Sequence, residues 1–283
     1  MNSRAWLRNV LLMVMAMGLG GFGRCGPSED PWRVVWQAEF DGAASQAQAP
    51  PPLDPGRWRF DVGTGPNGDG WGNGQEEFDT ARPENVSLDG QGHLAITARK
   101  ESFQGMAYTS GRITTKGLLA KAYGRIEARM KLPRGQGLWP AFWMLGADID
   151  RNPWPACGEI DIMEYRGQEP RRVTGSLHGP GYSGARAITG DYTLPPGPGF
   201  DEGFHVFAVE WEPDLVTWEV DGVTWQVATP GRVPAGGTWV FDKPFFLILN
   251  LAVGGTYVGV ADGTATFPQT LLVDYVRVYE RAP

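Results

Sequence analysis

Cysteine is nearly missing from this 283-residue chain, which has only Cys25 and Cys157. A small fold stapled by disulfides is therefore excluded. Histidine is as scarce, with three residues, and so few Cys and His give no tetrahedral zinc spacing. Hydrolysis driven by such a metal is disfavoured.

Basic charge is also in short supply, with 25 Lys and Arg against 32 Asp and Glu. Residues 1–25 carry Arg4, Arg8 and Arg24 and no acids, so the remainder holds 22 basic residues against all 32 acids, a formal charge of −10. A chain this acidic has no electrostatic footprint for nucleic acid or for an anionic membrane surface. A neutral substrate fits best.

The apolar stretch 10–19 follows Arg4 and Arg8. A core of about 10–13 apolar residues is too short to cross a bilayer comfortably. Residues 1–25 read instead as an export signal, which makes the product secreted. Cys25 raises lipidation, but Arg24 stands where a lipoprotein signal carries a small residue. A periplasmic or lipid-anchored product is the weaker reading.

No window carries a long helical period, and no repeat or second domain is visible, so residues 26–283 read as one domain. What the chain has in abundance is 12 Trp, 40 Gly and 23 Pro, a composition suited to many strands joined by tight turns. Residues 92–98 and 123–130 alternate apolar and polar. Asp221-Gly222, between the β-prone runs 216–220 and 223–227, is a two-residue hairpin signal. Residues 245–253 and 271–279 are strand-like, and the Pro/Ala/Gln stretch 43–56 reads as a surface insertion. The fold class is all-β, with two antiparallel sheets packed face to face.

Glu159-Ile160-Asp161-Ile162-Met163-Glu164 sets three carboxylates in an apolar, β-prone segment. Such triplets also occur as solvated faces or calcium sites, but Ile160, Ile162 and Met163 mark this one as no hydrated charge run. Glu159 and Asp161 share one strand face. Glu164 joins them only if one extra residue is absorbed as a bulge at Ile162-Met163. The two glutamates then stand like i and i+4, roughly 13 Å apart along the backbone. Leaning together, they close to about 5–6 Å, nearer the spacing of a retaining glycosidase than of an inverting one. Carboxylates this close cannot all be ionised, so one stays charged as nucleophile while another keeps a proton for the leaving oxygen.

With its flanks, the segment WPACGEIDIMEY (154–165) resembles the active-site strand of glycoside hydrolase family 16, in its bacterial laminarinase branch. YGRIEARMKLPRGQGLWPAFWMLG (123–146), GSLHGPGYSG (175–184), FHVFAVEWEPD (204–214), LNLAVGG (249–255) and FPQTLLVDYVRVYE (267–280) resemble that family in the same order. The resemblance runs from about residue 39 to 280.

It implies a β-jelly-roll sandwich with an open cleft across its concave face. Glu159 would be the nucleophile, Glu164 the general acid/base and Asp161 their supporting carboxylate. Members specific for mixed-linkage lichenan typically run E-I-D-I-E, without the residue that Met163 adds. Trp139 and Trp143 match cleft tryptophans, whose planes pack on sugar C–H faces. Arg112 and Asn73 match polar positions facing glucose hydroxyls, and His178 a histidine beside the cleft; His205 looks structural. In the pattern W-G-N-x-E-x-Q-Y-Y, Trp71-Gly72-Asn73 is kept, while Gln75, Glu77 and Phe78 depart from it.

No cofactor is implied for catalysis. A structural calcium ion is implied on the face away from the cleft, held by Asp274, Glu39 and the Gly90 carbonyl, since oxygen ligands suit a hard cation. The function the resemblance implies is endo-cleavage of β-1,3-glucosidic bonds in laminarin-type glucans, extending to mixed-linkage β-1,3-1,4-glucans, by a monomer. The alternatives are a galactan hydrolase or transglycosylase on the same scaffold, or a non-catalytic β-glucan-binding protein. Binding proteins of that kind commonly lack the glutamates that are present here.

Overall fold

A computed structural model describes residues 31–41 and 53–282. The expected leader, Cys25 and most of the Pro/Ala/Gln stretch lie outside the described residues. In chain order the strands are β1 (Trp32–Ala38), β2 (Arg59–Phe60), β3 (Glu77–Asp79), β4 (Val86–Leu88), β5 (Leu94–Phe103) and β6 (Met106–Ser110). They continue with β7 (Arg112–Thr114), β8 (Gly124–Lys131), β9 (Leu138–Gly146), β10 (Glu159–Tyr165), β11 (Arg172–His178) and β12 (Ile188–Thr193). The last five are β13 (His205–Glu212), β14 (Leu215–Val220), β15 (Val223–Ala228), β16 (Phe245–Val253) and β17 (Gln269–Arg281). No α-helix occurs among the described residues.

The strands form two sheets. One runs β15-β14-β13-β8-β17-β5-β6-β3, with β1 added on β17 and β4 on β5; the other runs β12-β11-β10-β9-β16-β7-β2. Every pairing is antiparallel except β3 with β6, which is parallel. That exception departs from the purely antiparallel expectation. A parallel pair needs a long crossover, and β4 and β5 supply it.

Sequence patterning explains how the sheets stack. All nine residues of β16 are buried, as expected of a strand covered on both sides. Its alternation still sorts them: Phe245, Leu247, Leu249 and Leu251 join the core between the sheets, while Phe246, Ile248 and Asn250 line a cleft on the other face. β9 does the same, with Phe142 and Met144 inward and Trp139, Ala141 and Trp143 toward the cleft. The Asp221-Gly222 hairpin joins β14 to β15 with both residues at positive φ (51° and 76°), the backbone of a type I′ turn.

Both carboxylates among the expected calcium ligands are already paired with arginines. Arg277 bonds both oxygens of Glu39, through Nε and Nη2, each at 2.7 Å. Arg129 Nη1 donates to Asp274 Oδ2 at 2.6 Å. A guanidinium beside each carboxylate already neutralises it and repels a divalent cation, so this donor set does not fit calcium. Gly90 occupies a tight position with φ 74°.

Candidate active site

β10 carries one residue more than its neighbours. From Asp161 to Glu164 it advances three positions, while β11 moves two (Ser176 to Thr174) and β9 moves two (Trp143 to Ala141). This is the bulge that the carboxylate spacing requires. The consecutive Ile162 and Met163 both enter the core, and Glu159, Asp161 and Glu164 all face the cleft.

The bulge is held from behind. Trp218, fully buried on β14 of the opposite sheet, sends its indole N–H across the core to the Asp161 carbonyl at 2.7 Å. Space for the indole comes from Gly175 on β11, where a Cβ would lie 2.5 Å from Trp218 Cδ1.

The three carboxylates are crowded and dry. Burial and the charge of Asp161 push Glu159 up to about 8. Burial raises Asp161 to about 7, against a hydrogen bond from Glu159 that favours its charged form. Burial, with the charges of Asp161 and Glu159, carries Glu164 well above the ordinary carboxyl range. These are the signs of a cluster that shares protons at neutral pH.

His178 stands directly across from Glu159 on β11. Its Nε2 lies 3.0 Å from Asp161 Oδ2 and 3.7 Å from Glu159 Oε1. Its Nδ1 accepts the backbone N–H of Gly184 at 3.0 Å, so the neutral ring carries its proton on Nε2. One ligand atom each from Glu159, Asp161 and His178 lie within 4.8 Å of one another. A protonated Nε2 offers a metal no lone pair, however.

The remaining expected residues line the same cleft, whose volume is about 1460 Å³. Trp139 donates its indole N–H to Glu164 Oε1 at 3.1 Å, and Trp143 donates to Asn250 Oδ1 at 2.8 Å. Arg112 is 7% exposed, more enclosed than a residue meant to greet sugar hydroxyls. Its guanidinium is sandwiched between Trp71 and Trp143, 4.1 and 4.8 Å from the ring centres, and Nε donates to Asp61 Oδ2 at 3.1 Å. Asn73 is exposed at the rim of the cleft, and its carbonyl accepts the N–H of Thr256. His205 lies away from the cleft lining, bonded to Asp221.

Sequence reasoning missed several contributors. Trp154 is 45% exposed beside His178 and bonds Glu159. A Trp five residues before the first glutamate was the available signal. Tyr257 packs on Trp139 and bonds Thr174, and no local pattern marks it.

Comparison with known proteins places the fold in a family. Residues 74–276 match the profile of glycosyl hydrolases family 16. The chain is 38% identical over 286 residues to a β-glucanase of Rhodothermus marinus, covering 96% of this chain and 94% of that protein. It is 39% identical over 264 residues to glucan endo-1,3-β-glucosidase A1 of Niallia circulans, covering 87% of this chain but 38% of that longer protein. The crystal structure of an endo-β-1,3-glucanase from Pyrococcus furiosus superposes with a TM-score of 0.82 at 48% identity, covering 89% of this chain and 95% of that one. The jelly-roll sandwich is thus a shared architecture, and the chain belongs to the glycosyl hydrolases of family 16.

Proposed function

We propose that the chain is a secreted endo-hydrolase of β-1,3-glucans of the laminarin type, active also on mixed-linkage β-1,3-1,4-glucans. In this reading residues 1–25 are a removed leader, and the rest is one monomeric catalytic domain. The relatives' names support both the linkage and an internal cut. The observation that carries the mechanism is the β10 bulge, which gathers Glu159, Asp161 and Glu164 on one buried face.

Glu164 holds a proton at neutral pH and gives it to the glycosidic oxygen as the C1–O bond breaks. Glu159 attacks C1 from the other face and forms a glycosyl ester. To attack, Glu159 must be ionised, and Asp161, bonded to it, takes up the proton it sheds. Glu164, now a carboxylate, removes a proton from water as that water attacks C1 and frees Glu159. Two inversions at C1 give net retention. Aromatic planes of Trp139, Trp143 and Trp154 hold the sugar faces.

Proton NMR of early laminarin digestion tests this. A transient excess of the β anomer at the new reducing end is the expected result. An α excess means a single displacement and removes Glu159 from the nucleophile's role. Absence of turnover removes laminarin as substrate.

A further inference from the structure

β3 carries a second pair of buried carboxyls, Glu77 and Asp79, two residues apart and so on one face of the strand. Each is 1% exposed. Their bonding is matched. Glu77 Oε2 accepts the backbone N–H of Val253 at 2.8 Å, and Asp79 Oδ2 accepts the indole N–H of Trp71 at 2.9 Å. The other oxygen of each, Glu77 Oε1 and Asp79 Oδ1, is buried with no partner. Leaving such oxygens unsatisfied is unfavourable, and more so when they are charged.

The surrounding charge sharpens the problem. Arg112 acts on both acids, and Asp61 opposes it at Asp79. Arg112 Nε is already given to Asp61. Glu76 adjoins the pair in the chain, and Tyr108 pairs with Glu77 across β6. One guanidinium faces three carboxyls. A single proton on the pair relieves the excess charge, since two like charges this close in a buried site are costly.

What the pair supports is a binding platform. Trp71 sits in the turn 70–74 with a left-handed backbone, φ 55°, which is uncommon for a bulky residue. Its indole is held by Asp79 on its N–H and by Arg112 on its face. Asp79 is fixed in turn by backbone bonds in both directions with Gly63. A second negative charge on the pair would draw Arg112 off its stack and loosen Trp71, at the end of the cleft that Asn73 also lines.

We propose that Glu77 is a positioning residue that stays protonated beside Asp79, and that this proton keeps the Trp71–Arg112 platform in its sugar-binding arrangement. Burial pushes Asp79 up to about 7 and, together with the charge of Asp79, raises Glu77 well above its ordinary value. The platform therefore weakens as pH rises through and above neutrality. This inference rests on the proposed glucanase activity.

KM and kcat for laminarin, measured from about pH 5.5 to 9 on the full chain and on Glu77→Gln, test it. In the unsubstituted protein KM is expected to rise about tenfold toward the alkaline end. In Glu77→Gln the amide supplies a permanent donor, and KM stays flat. The pH dependence of kcat, which the β10 carboxyls set, keeps the same shape in both proteins. A merely structural glutamate would not split KM from kcat in this way. An equal alkaline rise of KM in Glu77→Gln overturns the proposal. So does a flat KM in the unsubstituted protein, a result that needs no variant to fold. Absence of laminarin turnover at every pH overturns the proposed function and this inference with it, whereas turnover with an unmoved KM overturns the inference alone.

Discussion

The backbone N–H of Gly184 donates to His178 Nδ1 at 3.0 Å, and that one bond selects which imidazole nitrogen carries the proton. Nε2 then carries the proton, 3.0 Å from Asp161 Oδ2 and 3.7 Å from Glu159 Oε1, and supports the charge of the nucleophile. Losing about 1.4 kcal/mol of that support is tenfold in rate, so His178→Ala should lower kcat by about tenfold with a smaller change in KM. A long-range proton–nitrogen NMR spectrum of the neutral ring should show Nδ1 unprotonated. Finding the proton on Nδ1 would remove this account of the ring.

Glu159 and Glu164 are distinguishable by chemical rescue. Glu159→Ala leaves a cavity at the nucleophile's place and should lose activity by several orders of magnitude. Azide admitted to that cavity attacks C1 once, so the rescued product is the α-glycosyl azide. In Glu164→Ala with an aryl glucoside that needs no acid help, the glycosyl ester still forms, and azide then gives the β product. Exchange of the two stereochemical outcomes would exchange the two roles.

Most of the site's logic is local, which is why it was legible before any coordinates. A five-residue separation between glutamates on a strand requires a bulge, and the apolar Ile162-Met163 pair says where the extra residue goes. Asp221-Gly222 likewise fixed a hairpin. What escaped was what distant segments bring. Trp218 reaches the Asp161 carbonyl from 57 positions away, and Asp61 meets Arg112 across 51; neither separation leaves a periodic trace. The expected calcium ligands meet distant partners in the same way. Carboxylates at matching positions look like ligands until Arg277 and Arg129 are found on them.

Arg112 should not tolerate lysine. Its planar guanidinium fills the slot between Trp71 and Trp143 while Nε serves Asp61, and an ammonium has neither the plane nor the fork. Each cation–π contact contributes roughly 0.5–2 kcal/mol. Arg112→Lys should therefore raise KM for laminarin about tenfold, with a smaller effect on kcat, because the stack lies beside the reacting carboxyls and does not include them. A kcat loss at constant KM would instead assign Arg112 to the transition state.

Buried carboxyls with raised values also set how stability follows pH. Glu159 titrates at about 8 in the fold, and Asp161 and Asp79 at about 7, against 3.8 to 4.5 ordinarily. Between those limits the folded chain binds protons that the unfolded chain has lost, so stability falls as pH rises. The contribution is complete below about pH 4 and disappears as pH passes through 7 to 8. Asp148 beside Lys243 and Asp191 beside Arg172 are lowered by those partners, despite burial that opposes the shift, and they act in the opposite sense, losing stability toward acid pH. Tm should therefore be higher near pH 5.5 than near pH 8.5. Glu159→Gln removes one buried acid and should narrow that difference by several degrees, since about 1 kcal/mol moves Tm by roughly 2–4 °C in a domain of this size. The narrowing should come from a higher Tm at alkaline pH, leaving the acid side unchanged. A Glu159→Gln protein whose Tm keeps the full alkaline decline would mean that the charge at this position is already compensated in the fold, and the proton sharing drawn for β10 would have to be abandoned.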